Sequence, residues 1–280
     1  MVNFLKSGKF KIFLGRFYIF LILAIMYTPV FVLIAFSFTN SSNVGVWNGF
    51  TFELYGKLFR NRTIMNAVGN TLLLGVSTGI VATILGTLGA IGTYYSKSRV
   101  RKFVEGMTQI PVINAEIVMA LSLVILIIVL IGNAFNFLTL LLGHVVLTVA
   151  FVYLAVRPRL VKMDPSIYEA ALDLGATPTY ALFHIIIPEI FPGIVSGFML
   201  AFTLSLDDYI VTAFLRNNSF DTLSTYVEGV IAKANIPPEL RALTTLIFIF
   251  ALLILSLNNL RASREAKAAQ FRHKGGRIHD

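Results

Sequence analysis

No cysteine occurs in the 280 residues, so disulfide staples, thiolate metal sites and cysteine nucleophiles are excluded together. Histidine is scarce. His144, His184, His273 and His279 never take the His-x-x-x-His spacing of a helical metal site, and no metal site is expected. Charge is scarce too: Asp, Glu, Lys and Arg make up 13% of the chain, where a soluble domain carries about 25%. An ordinary water-soluble fold is the weaker reading. No stretch fits G-x-x-x-x-G-K-[ST], the loop whose backbone N–H groups cradle nucleotide phosphates. "HKGGRIH" near the end has neighbouring glycines and a lysine, but neither that spacing nor a preceding strand. ATP hydrolysis by such a loop is therefore not expected of this chain.

What is present is apolar. Hydrophobic residues reach 56%, and the 24 phenylalanines outnumber the 23 lysines and arginines. The formal charge of +9 invites a nucleic-acid reading. The placement of the charge argues against it, because Lys97, Arg99, Arg101 and Lys102, and a tail from Arg261 to Arg277, adjoin apolar runs. Membrane proteins mark their cytoplasmic side in this way.

A helix needs about 20 apolar residues to cross roughly 30 Å of hydrocarbon. Phe17–Phe36 is the first such run, preceded by Lys6, Lys9, Lys11 and Arg16. A cleaved signal peptide also begins basic, but bulky residues persist to the end of this run with no small-x-small site, so an anchor is expected. Ala67–Tyr95 is the second run. Its pairs Gly75 and Gly79, and Gly86 and Ala90, stand four apart and share a helix face, which lets helices approach closely in lipid. No charge interrupts Ile117 to Val156, too long for one ordinary span. Gly132, Asn133 and Asn136 supply a turn, predicting a hairpin of Ile110–Ile131 and Phe137–Val156. The fifth run, Ile190–Leu215, contains Asp207 and Asp208, and the sixth is Leu243–Leu260.

The expected fold is all-α, a polytopic transmembrane bundle of six spans over residues 17–260. Residues 1–16 and the basic tail 261–280 would be cytoplasmic. On this topology 17 of the 23 lysines and arginines lie inside and 6 lie outside, as the positive-inside rule requires. Fusing the hairpin into one span would put the basic tail outside.

The expected cytoplasmic loop 161–189 holds most of "YEAALDLGATPTYALFHIIIPEIFPG", a stretch from Tyr168 to Gly193 that continues into the next run. Asp164 followed by Pro165 predicts a helix start, with aspartate capping and proline in the first turn. Gly175 predicts a left-handed stop. Thr177-Pro178 opens a second short helix, and Pro188 and Pro192 bracket the start of the fifth span. Helices this short need packing against the bundle or a partner. A plain connecting loop remains the alternative.

The order Glu169-Ala170-Ala171, Gly175, Ile185, Ile187, Pro188 resembles the EAA motif of ABC-importer permease subunits, with Ile187 where the family usually has leucine. "FTLSLDDYIVTAFL" from Phe202 and "PVINAEIVMALSL" from Pro111 resemble the second permease of spermidine/putrescine importers. The resemblance runs from the first span to the sixth. It implies a type I importer permease fold in a bacterial inner membrane, beside a second permease, an extracytoplasmic polyamine-binding protein and a cytoplasmic ATPase dimer. ATP and Mg would be bound by that ATPase, and this chain would hold no cofactor. Glu169, Ala170, Ala171, Gly175, Ile185 and Pro188 would form the ATPase-coupling segment.

Asp207 and Asp208 are read as lying midway along an apolar run, where a lipid-facing carboxylate costs about 2.5–3.5 kcal/mol on insertion scales. On one helix they would point about 100° apart, one inward and the other capping or pairing, or they would share a proton. Two readings stay open: an internal lock satisfied by Thr203, Ser205 and Thr212, or an anionic station on a cation pathway. Glu116 is read as interfacial, its charge suiting the helix start. In the outer loop 37–65, Trp47, Phe50, Phe52 and Tyr55 suit a bilayer-surface belt or the docking of an external binding protein. A secondary transporter would carry internal repeats and coupling groups in both halves. A channel subunit could use the two aspartates as a ring, but would not need the EAA spacing. A membrane enzyme would need a nucleophile–base pair, and none is visible.

Overall fold

The computed structural model describes residues 8–41, 43, 45–132, 135–217, 219–234, 236–253 and 256, with side chains described from Leu14 onward. All regular structure among them is helical. The elements are α1 (Gly8–Phe36), α2 (Glu53–Arg60), α3 (Arg62–Tyr94), α4 (Ser98–Ile113), α5 (Glu116–Ile131) and α6 (Phe137–Lys162). They continue with α7 (Pro165–Asp173), α8 (Pro178–Ala181), a π-turn (Leu182–Ile186), α9 (Ile187–Asp207), α10 (Ile210–Leu215) and α11 (Leu223–Ala232). A further helix, α12, covers 239–253.

Four helical segments are long and apolar enough to cross a membrane: Leu14–Phe36, Arg62–Tyr94, Phe137–Lys162 and Pro178–Asp207. A fifth exists if α4 and α5, bent by 109°, count as one broken span. The sixth expected span, Leu243–Leu260, and the tail 261–280 lie partly or wholly outside the described residues.

The chain forms two compact units, one of residues 1–62 with 234–280 and one of 63–233. In the first, the Phe31 and Phe248 rings meet edge-on at 6.4 Å, and Arg241 donates to the Ser41 carbonyl at 2.9 Å. Among the aromatics of residues 37–65, Trp47 meets Phe36. Phe50, Phe52 and Tyr55 pack around Phe38, with Phe38 and Phe50 stacked at 5.3 Å.

The second unit is built on α3, α6 and α9, and its buried core includes Ala82, Ala90, Val152, Val156, Ile190 and Ala201. The small residues of α3 set the spacing. A methyl added to Gly79 would lie 2.8 Å from the Phe198 ring of α9, and one on Gly86 would lie 2.7 Å from Val152 of α6. Close approach, not turning, is the reason for both glycines.

Two expected continuous spans are broken. The segment expected as Ile110–Ile131 splits at Asn114 and Ala115, both extended. Pro111, in the last turn of α4, removes a backbone donor and crowds the preceding turn. The fifth run stops at Asp207, Asp208 is extended, and α10 resumes at Ile210. The second short helix expected from Thr177 does not stand apart from the fifth span: it continues through the π-turn into α9. At the predicted hairpin turn, Gly132 has φ 74° and Asn136 caps α6 in a reciprocal pair with Thr139. Asn133 lies outside the described residues.

Candidate functional site

The two breaks face one another across a cavity of about 130 Å³. It is smaller than a drug-sized site of about 300 Å³ or more. Its walls include Pro111, Asn114 and Glu116 from the α4–α5 break, His144 and Thr148 from α6, and Asp208 from the α9–α10 break. Interrupted helices at membrane depth are tolerated where the freed backbone lines a cavity or is buried in protein. Glu116, expected at an interface, is exposed and also borders this cavity with Asp208.

Asp208 reaches its position because the backbone leaves helical geometry there, with ψ 128°. Its side chain is 8% exposed. Oδ2 accepts from the Thr212 backbone N–H at 2.9 Å and from the Thr212 hydroxyl at 3.0 Å. Oδ1 accepts from the Val211 N–H at 3.3 Å, and the Asp208 carbonyl accepts from the Ser224 hydroxyl at 2.8 Å. The carboxylate is thus anchored at the start of α10 while still facing the cavity. Oδ1 is its less committed oxygen.

Asp207, by contrast, is exposed at the end of α9. The expected placement of both acids midway along one helix does not hold, because the helix ends between them. Of the three hydroxyls expected around the acids, Thr212 bonds Asp208, Ser205 bonds His144 instead, and Thr203 is exposed.

His144 was not singled out from the sequence for this site. Its ring is buried, with Nδ1 at 2.9 Å from the Ser205 hydroxyl and Nε2 at 3.0 Å from the Thr212 hydroxyl. Nε2 also lies 3.4 Å from Asp208 Oδ2. A polar ring inside a charge-free run was the available signal, since such groups face a bundle interior or a cavity.

The other candidate region is 164–188. Asp164 caps α7 by accepting from the Ser166 N–H at 3.0 Å, with Pro165 in the first turn. That hydrogen bond holds the exposed Asp164 carboxyl below its ordinary pKa. At the far end Gly175 has φ 88°. The Gly175 N–H reaches the Leu172 carbonyl at 2.9 Å, and the Ala176 N–H reaches the Ala171 carbonyl at 3.0 Å. These are the paired bonds of a Schellman stop.

Glu169 and Ala170 are exposed on α7, and Ala171 is half-buried. Leu174, 90% exposed, borders a depression with Ala171, Gly175, Ala176, Thr177 and Tyr180. Ile185 and Pro188 sit further on, in the π-turn and the first turn of α9. Tyr168 packs on Tyr95, just past α3, with ring centroids 5.7 Å apart. Among the described residues no group of His, Cys, Asp and Glu could hold a metal ion.

The model of the binding-protein-dependent transport system inner membrane component family matches residues 75–265. The chain belongs to that family. It is a multi-pass membrane protein and a transport component. It is similar to the spermidine/putrescine transport system permease protein PotC of Escherichia coli (strain K12), 35% identical over 88% of this chain and 92% of that protein. It is also similar to the putrescine transport system permease protein PotI of the same strain, 36% identical over 79% of this chain and 81% of that protein. Its fold matches a chain from a bacterial ABC transporter involved in the import of the acidic polysaccharide alginate. The TM-score is 0.71 at 16% identity, covering 92% of this chain and 98% of that one.

Proposed function

We propose that this chain is a permease subunit of an ATP-driven importer for a small polycation of the spermidine/putrescine class. The observation that carries this reading is the similarity over 88% of the chain to a spermidine/putrescine permease. The cavity chemistry supports it. Glu116 and Asp208 put two carboxylates on one small cavity, with Asn114 as a further polar wall. Two carboxylates on one cavity attract an ammonium group and repel anions. A polyamine, with ammonium groups separated by methylenes, would pass such a station one charge at a time.

Six spans with both termini cytoplasmic fit the basic-residue bias. Residues 164–175 would then face the cytoplasm, where Glu169 and the exposed Leu174 offer an acid and an apolar knob to a groove on a separate ATPase. Glu169, Ala170, Ala171 and Gly175 would dock there. Ile185 and Pro188 would join that docking segment to the fifth span through the π-turn. ATP and Mg would be held by the ATPase, beside a second permease and an extracytoplasmic binding protein, all at a bacterial inner membrane. The family name itself points to a binding-protein partner.

The experiment is purification in mild detergent with identification of the co-purifying chains. An ATPase and a second permease are expected at fixed stoichiometry. Recovery of this chain alone, still active in transport, would contradict the reading.

A further inference from the structure

The hydroxyls around His144 fix the direction of its hydrogen bonds. The Thr212 hydroxyl has one proton, and it is donated to Asp208 Oδ2 at 3.0 Å. The 3.0 Å contact between Thr212 and His144 Nε2 therefore requires the ring to donate from Nε2. A neutral imidazole then has Nδ1 as an acceptor, and the Ser205 hydroxyl lies 2.9 Å from it. The bonds run in one direction: Ser205 O–H to Nδ1, Nε2–H to the Thr212 oxygen, and Thr212 O–H to the carboxylate. Aligned chains of this kind polarise one another and hold their members in one arrangement.

The chain of bonds also crosses the helix break. Ser205 is in the last turn of α9 and Thr212 is in α10. Both are buried, at 4% and 0% exposure, and His144 is at 1%. A single ring on α6 thus ties together the two helix ends that flank Asp208. Buried donors and acceptors so paired are costly to separate, because each would lose its partner without gaining water.

We propose that His144 is a positioning residue for the cation station: through Ser205 and Thr212 it sets the α9–α10 break so that Asp208 faces the cavity shared with Glu116. This rests on the polyamine-permease reading. The ring need not touch substrate. Its effect is on the affinity of the station, because the orientation of Asp208 decides how well the carboxylate meets an arriving ammonium.

The test uses the intact importer complex in proteoliposomes, with labelled putrescine uptake measured as KM and kcat. Asp208→Asn is the reference variant. His144→Asn can mimic Nδ1 but cannot reach Thr212, whereas the longer amide of His144→Gln can place a donor where Nε2 stands. Thr212→Val removes that link and also the Thr212 hydroxyl's own bond to Asp208, and Thr212→Ser restores both. Ser205→Ala removes the other partner of the ring without touching Asp208. The expected result is a KM raised about three- to tenfold in His144→Asn, the loss of one buried hydrogen bond, and at least as much in Thr212→Val, which loses two. Recovery is expected in His144→Gln and Thr212→Ser, with kcat changed less than KM.

An unchanged KM in His144→Asn and Thr212→Val, alongside a raised KM in Asp208→Asn, overturns the positioning role and leaves the cavity reading intact. An unchanged KM in Asp208→Asn overturns the cavity reading and this role with it. If His144→Asn does not assemble, Ser205→Ala, which removes a partner of the ring and no bond to Asp208, decides by the same criterion.

Discussion

The His144 ring and the Asp208 carboxylate stand 3.4 Å apart, Nε2 to Oδ2, although one belongs to α6 and the other to a break more than sixty residues later. The proximity exists because α9 stops at Asp207. Had the helix continued, Asp208 would have been one more side chain on its surface. The break turns it inward and gives its carboxylate the first N–H groups of α10.

The two adjacent acids are therefore expected to behave differently. Asp208→Asn should lower uptake at sub-saturating polyamine by about tenfold or more, the scale of losing a charged partner. Asp207→Asn, altering an exposed side chain, should lower it by less than about threefold. Initial-rate uptake at matched expression distinguishes them. Equal losses would mean that the break does not separate their roles.

The coupling segment is expected to fail without unfolding the protein. Gly175 sits at φ 88°, where a side chain costs about 1–2 kcal/mol. Gly175→Val should therefore distort the stop of α7. Glu169→Lys reverses an exposed charge. Both variants should reach the membrane and lose uptake, with less ATPase recovered on purification. Near-normal uptake in both would remove this segment from energy coupling.

Asp164 gives a pH signature outside the membrane. Its folded pKa is depressed by the Ser166 N–H, so the stabilisation is fully present above the unfolded value of about 4. It is lost as pH falls through the lower folded value. The protection factor at Ser166 and along the first turn of α7, taken against the intrinsic exchange rate at each pH, should fall only below about pH 4. Asp164→Ala should show the low protection factor at neutral pH as well. Equal protection in wild type and variant would show that the cap does not hold the helix.

The packing of α3 predicts a contrast between glycines. Gly86→Val would drive a side chain into Val152, 2.7 Å from a single added methyl. Overpacking of this kind costs about 1–3 kcal/mol, and the thermal midpoint in detergent should fall. Gly92 has open space at the same test, so Gly92→Ala should leave the midpoint unchanged or raise it slightly.

These contrasts follow where the sequence was legible. The long spans were readable because an uncharged run of sufficient length has one stable solution in lipid. The ends of α7 were readable because Asp164-Pro165 and Gly175 act locally through caps and a positive φ. The cavity was not readable, because it depends on two helices ending inside apolar runs. Pro111 and Asn114 hinted at one break, yet hydrophobicity continues through both. Asp207 and Asp208 were consequently assigned to one continuous helix. His144 was passed over because its partners, Ser205 and Thr212, are distant in sequence and meet it only through the packing of α6 against α9 and α10.

The most direct test of the central claim is labelled putrescine and spermidine uptake into proteoliposomes containing the purified complex, with and without ATP on the side of the ATPase. The account predicts accumulation only with ATP, competition between the two polyamines, and loss of accumulation in Glu169→Lys. Accumulation without ATP, driven by an ion gradient alone and unaffected by Glu169→Lys, would contradict it.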